Sequence, residues 1–261
     1  MNEFNTKIRA DIKKLLEEND KVFTTWEGGS LATGYFDEYS DLDLAAITAD
    51  DVIDEVFAIV EEYLTENYGI QHKFRIPEPN WHGHSQCFYI LEKSPETFYV
   101  DFLIEKESAV NRFLESNRHG NAVVWFDKKG FIDNTPVPEE VTFQKCVKQF
   151  RMIKTYMPFT FIDVQKQIYR GNEIDAFSIY YSLVNRIIAL LNIKYRPAKH
   201  DFGPRYLHRD FPLKEQELIK KLMFVPTLEQ LQLNLNEIKV LYQELITELE
   251  DFFPTVKGRE K

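Results

Sequence analysis

Apolar residues recur at helical spacing through residues 4–19, at Phe4, Ile8, Ile12, Leu15 and Leu16, and this predicts an opening helix. Val22 to Trp26 reads as a short strand, Gly28-Gly29-Ser30 as a turn, and Asp41 to Ile47 as a second strand. Val52, Val56, Ile59, Val60 and Tyr63 mark another helix. Cys87 to Leu91 and Phe98 to Ile104 predict two strands joined by a turn at Ser94-Pro95-Glu96. Val110, Phe113 and Leu114 suggest a short helix, and Ala122 to Phe126 a further strand. The pattern changes at Asp133-Asn134-Thr135-Pro136-Val137-Pro138, whose prolines and Asn are turn chemistry. Beyond it the periodicity is helical throughout, over 139–157, 161–170, 173–192, 213–223 and 227–252.

Strands mixed with helices, followed by helices alone, predict an α+β domain over residues 1–136 (a mixed sheet with flanking helices). An all-α bundle is expected over 137–261. A length of 261 residues and 44% apolar content suffice for two such cores. Charge separates the halves further. Residues 1–138 hold 13 Lys/Arg against 26 Asp/Glu, whereas residues 139–261 hold 19 against 16. An acidic chain argues against a long nucleic acid, which needs a basic track, and suits a metal or a cationic small molecule. No apolar run approaches the length of a membrane span, and the first residues lack the basic and apolar segments of a signal peptide. Cys87 and Cys146 are too few for a disulfide framework, so the expected compartment is the cytoplasm.

The chemistry concentrates between residues 28 and 101. Strand alternation puts Asp41 and Asp43 on one face, with Leu42 and Leu44 turned to the core. Two like charges side by side call for a cation, and Mg²⁺ held by carboxylates and substrate phosphates is the natural one. Gly28 and Gly29 permit close backbone approach to a phosphate, and the Ser30 hydroxyl can add a hydrogen bond. Asp101 is the one charge in the buried pattern Phe98-Tyr99-Val100-Asp101-Phe102-Leu103-Ile104, which makes it the third ligand of a two-metal site. Pairing of Asp101 with a buried Arg is the structural alternative.

Gly29-Ser30, ten intervening residues, Asp41-Leu42-Asp43 and the later Asp101 resemble the motif set of the polymerase-β-like nucleotidyltransferase superfamily. Within it, the run from Gly28 to Asp43 is similar to that of bacterial aminoglycoside adenylyltransferases, including the streptomycin-modifying type. The resemblance covers about residues 20–105. It implies ATP as donor, Mg²⁺ as cofactor, transfer of AMP to a hydroxyl, and an active site in a cleft between an α/β domain and a helical domain. A second stretch, Ala189 to Lys199, resembles the helix-then-Tyr-x-Pro-x-x-Lys segment of some small-molecule nucleotidyltransferases. It implies that Lys199 faces the triphosphate. The following Asp201 to Leu207 departs from that family's Trp-rich version, which leaves Arg205 without an assigned role.

Plainer readings stand beside these. Lys199 can be an ordinary solvated lysine. His82, His84 and Cys87 fall short of the four ligands of a structural zinc. Tyr156, Phe159, Phe161, Tyr169, Phe177, Tyr180 and Tyr181 read as helical core, with a subset available to line an acceptor pocket near Asp163, Glu173 and Asp175. Glu105, beyond Asp101, is a candidate general base, with a solvent-exposed strand end as the plainer and preferred reading. A non-catalytic module of the toxin–antitoxin type, or an enzyme that nucleotidylates a protein, remains an alternative to a small-molecule transferase.

Overall fold

A computed structural model describes residues 3–253. The chain divides into two compact units, Met1–Pro136 and Val137–Lys261. The first is built on a six-stranded mixed sheet of order β3-β4-β5-β2-β1-β6. Its strands are β1 (Val22–Glu27), β2 (Leu42–Thr48), β3 (Ile70–Arg75), β4 (Ser85–Leu91), β5 (Val100–Lys106) and β6 (Val123–Asp127). All neighbours are antiparallel except β2 and β5, which run parallel at the centre.

One sheet face is covered by α1 (Glu3–Glu17) and α3 (Ile53–Tyr68). Ile8, Ile12 and Leu16 meet Val56, Phe57, Val60 and Leu64 over Leu42, Leu44, Val100 and Phe102. The opposite face carries a smaller cluster of Trp26, Ala45, Ile47, Leu103 and Leu114. Strand alternation gives this second face to Asp43 and Asp101.

The edge strand β3 has no counterpart in the predicted elements. Its Gln71, His72, Lys73 and Phe74 are all exposed, so no apolar alternation marks it. No helix forms at 110–114; Phe113 and Leu114 pack as loop residues against the second face, and the short α4 follows at Ser116–His119. A four-residue helix α2, Gly29–Ala32, stands where a turn was expected.

The second unit holds α5 (Glu139–Tyr169), α6 (Glu173–Tyr195), α7 (Leu207–Asp210), α8 (Leu213–Met223) and α9 (Leu228–Phe252), with a 3₁₀ turn at Pro197–Lys199. Its core joins Phe150, Met157, Tyr180, Leu183, Ile187, Leu190, Leu235, Ile238 and Leu245. The two helices expected at 139–157 and 161–170 are one, running through Pro158. A proline removes the N–H that would bond the carbonyl four residues earlier. Here that carbonyl, of Lys154, accepts the Tyr242 hydroxyl from α9 at 3.0 Å instead. Among the described residues one helix, α6, is by length and composition long and apolar enough to cross a membrane; its Tyr180, Leu183, Val184, Ile187 and Leu191 are buried in the helical core.

Candidate active site

The glycine turn leaves the end of β1 and is tied at once to β2. The Gly28 N–H donates to the Asp43 carbonyl at 2.8 Å. Gly29 has φ +53, a left-handed conformation that only glycine adopts freely. It also lies directly against the Asp43 carboxylate, since a Cβ at position 29 would fall 1.6 Å from Asp43 Oδ2. Ser30 belongs to α2, with its carbonyl accepting the Tyr35 N–H at 2.9 Å. The turn and the second aspartate are therefore one local assembly.

Asp43 and Asp101 are register partners on the parallel strands β2 and β5. Asp41 sits just before β2, and its carbonyl accepts Arg9 Nη2 at 2.8 Å. Gln86 on β4 donates to Asp101 Oδ1 at 2.6 Å, so an amide and not a buried Arg partners this carboxylate. Burial pushes Asp101 up to about 6, partly offset by Gln86 and reinforced by the charge of Asp41. The phenol of Tyr99 registers the whole group. Burial raises its pKa first, then a hydrogen bond to Asp41, then the charges of Asp41, Asp43 and Asp101 together.

Farther along the same face of β5 lies Glu105, which is fully buried, not a solvent-exposed strand end. Its Oε2 accepts Arg112 Nη1 and its Oε1 accepts the Phe113 N–H, both at 3.2 Å, and His84 Nε2 stands 3.9 Å away. Burial pushes Glu105 up to about 7, more than the Phe113 and Arg112 contacts offset. Burial likewise takes His84 down to about 4. His82 stacks on His84, whereas Cys87 belongs to the core of the opposite sheet face.

In the helical unit, Lys199 ends the 3₁₀ turn with its ammonium 3.4 Å from Asp210, a carboxylate that Arg196 also holds at 2.8 Å. Arg205 Nη2 donates to the Tyr206 hydroxyl at 3.1 Å. Of the aromatic residues expected in the core, Tyr180 is buried and Phe161 packs against the core. Tyr156, Phe159, Tyr169, Phe177 and Tyr181 are exposed.

Arg9, Glu27, Gln86 and Tyr99 are the parts that motif spacing misses. A signal existed for Arg9: it and Asn5 are polar residues on the stripe that Ile8, Ile12 and Leu16 bury. The donor set of Asp41, Asp43 and Asp101 is all carboxylate oxygen, the chemistry a hard divalent cation takes. Among the described residues no group of three or more His, Cys, Asp and Glu side chains is placed to hold a metal ion by itself.

No protein-family model matches the chain, and no curated protein matches it. Three solved structures are similar to it at low identity. An aminoglycoside 6-adenyltransferase from Bacillus subtilis is 14% identical, over 94% of this chain and 89% of its own, with a TM-score of 0.33. A spectinomycin adenyltransferase from Enterococcus faecialis is 15% identical, over 91% and 97%, with a TM-score of 0.34. A STING-associated c-di-GMP synthase from Capnocytophaga granulosa is 17% identical, over 93% and 81%, with a TM-score of 0.29. At these identities and TM-scores the reading of the site rests on this chain's own residues.

Proposed function

We propose that the chain transfers AMP from ATP to a hydroxyl of a small cationic acceptor, an aminoglycoside by class. The observation that carries this reading is the assembly of Gly29, Asp43 and Asp101. A glycine turn packs on one carboxylate, and a second carboxylate stands in register beside it on a parallel strand. Gly28, Gly29 and Ser30 offer backbone and hydroxyl donors to the triphosphate. Asp41, Asp43 and Asp101 would hold Mg²⁺, which would supply neutralisation of phosphate charge during an in-line displacement. The acceptor oxygen bonds to the α-phosphorus, the bond from that phosphorus to the bridging oxygen breaks, and pyrophosphate leaves. Asp101 takes the proton that the hydroxyl loses. The excess of acidic residues over 1–138 attracts a cationic acceptor.

Mass spectrometry of the protein with ATP, Mg²⁺ and a panel of aminoglycosides tests this directly. A gain of one AMP on any drug is the expected result. ATP binding without an adduct removes the aminoglycoside. Absence of ATP binding removes nucleotidyl transfer.

A further inference from the structure

The segment from Gly28 to Asp41 carries the glycine turn at one end and the first carboxylate at the other, yet the hydrophobic core hardly holds it. Leu31, Ala32 and Phe36 are only partly buried, and Tyr35 and Tyr39 are exposed. Polar contacts must fix it instead. Asn121 donates its N–H to the Ala32 carbonyl at 3.0 Å, which anchors the middle. The two ends meet at a single side chain from another element. Arg9 of α1 is 7% exposed. Its Nε lies 3.0 Å from each carboxylate oxygen of Glu27, the residue before Gly28. Its Nη2 donates both to Glu27 Oε1 at 2.6 Å and to the Asp41 carbonyl at 2.8 Å, and its Nη1 donates to the Asn5 carbonyl at 3.3 Å. The Phe36 ring, midway along the segment, lies 5.2 Å from the guanidinium carbon.

Stability alone does not account for this arrangement. A buried ion pair recovers little beyond its desolvation cost, and apolar residues of similar volume often serve the fold as well. The planar fork does something an apolar pair cannot: it binds residue 27 and residue 41 with one rigid group. We infer that Arg9 is a positioning residue that clamps both ends of segment 28–41 and so sets the glycine turn against the Asp41–Asp43 carboxylates. The inference deepens the nucleotidyl-transfer reading, because the segment it fixes is the proposed cradle of ATP.

The test is amide hydrogen exchange on the full chain, read by mass spectrometry, with nucleotide binding measured in parallel. Arg9→Lys keeps a positive charge beside Glu27 but cannot span both partners. Exchange at Gly28, Ala32, Thr33 and Tyr35, whose N–H groups are bonded within the segment or to Asp43, should quicken. The increase should be roughly tenfold to a hundredfold, the scale of one charge-assisted hydrogen bond. Exchange in α3 and β5 should stay at the wild-type rate, and a fluorescent ATP analogue with Mg²⁺ should bind several-fold more weakly. Uniform quickening across the first unit, or none in 28–41, overturns the inference. The double variant Arg9→Met/Glu27→Met guards against simple unfolding. It removes the buried charge as a pair, keeps the packing, and should still loosen 28–41; native exchange there in a stable double variant also overturns it. A wild-type protein that binds no nucleotide would refute the proposed function and leave the exchange result to be judged separately.

Discussion

Position 29 shows how much one atom can decide. With φ +53 and the Asp43 carboxylate against its Cα, Gly29 has room for hydrogen only. Gly34 has an equally left-handed φ of +75 but open space where a Cβ would go. Gly34→Ala should therefore cost only the conformational penalty, about 1–2 kcal/mol. Gly29→Ala should lower the melting temperature further and abolish binding of an ATP analogue, because Asp43 must move. Thermal melts and a binding titration on the two variants separate backbone strain from site damage. Asp43→Asn, which keeps the shape, should retain the circular dichroism of the parent and lose at least ~100-fold in pyrophosphate release. Glu105 gives a pH signature. Its folded pKa, up to about 7, lies above the ordinary carboxylate value of 4.5, so the folded protein binds the extra proton between those pH values. Its contribution to stability therefore falls as pH rises from about 4.5 to about 7, by on the order of 1–3 kcal/mol. Denaturant melts of Glu105→Gln across that range should show a flatter slope than the parent; an unchanged slope would place the titration elsewhere.

Among the elements, α5 is the one whose prediction and observation differ most usefully. A proline in a periodic stretch is a sound reason to end a helix, and Pro158 fails to end this one because Tyr242, 84 positions later, supplies the missing hydrogen bond. In the parent, Tyr242→Phe should cost about 1–2 kcal/mol by leaving the Lys154 carbonyl unsatisfied. In a Pro158→Ala background the helix regains its own N–H donor, and the same change should cost far less. A double-mutant cycle in urea measures the difference, and equal costs would show that the Tyr242 contact is incidental. The same logic explains what could be read in advance. α8 was legible at both ends because its apolar spacing is strong, and β2 was legible because a buried strand at the centre of a sheet reads as a continuous apolar run. β3 was illegible because an edge strand needs no apolar face. At the site, Asp41, Asp43, Asp101 and the glycines announce themselves by spacing. Gln86 and Glu27 do not, because cross-strand and helix-to-strand partners depend on register, which local pattern does not specify. Glu105 was misread for a related reason: its burial comes from the Arg112–Phe113 loop folding back over the sheet.

For the whole molecule, charge and topology have separate consequences. The imbalance of 26 acidic to 13 basic residues over 1–138 produces a diffuse field, not a specific pocket, and salt screens it. If the acceptor is polycationic, its KM should rise several-fold as ionic strength goes from about 0.05 to about 0.5 M, while the KM of an uncharged acceptor stays level. Steady-state kinetics with paired acceptors checks this. Topology acts on time. β2 and β5 are parallel, and the chain between them, residues 49–99, holds α3, β3 and β4, so their ladder closes a long loop. Non-local pairing of this kind is slow because the entropy of closing the loop comes ahead of the contacts that repay it. Asp43 and Asp101 become neighbours only through that ladder. During refolding, helical circular dichroism should return before the protein can quench or capture a nucleotide probe. A chain emerging from the ribosome as far as residue 99 carries the glycine turn, Asp41 and Asp43 but not Asp101, so the proposed site can be complete only after β5 has been made.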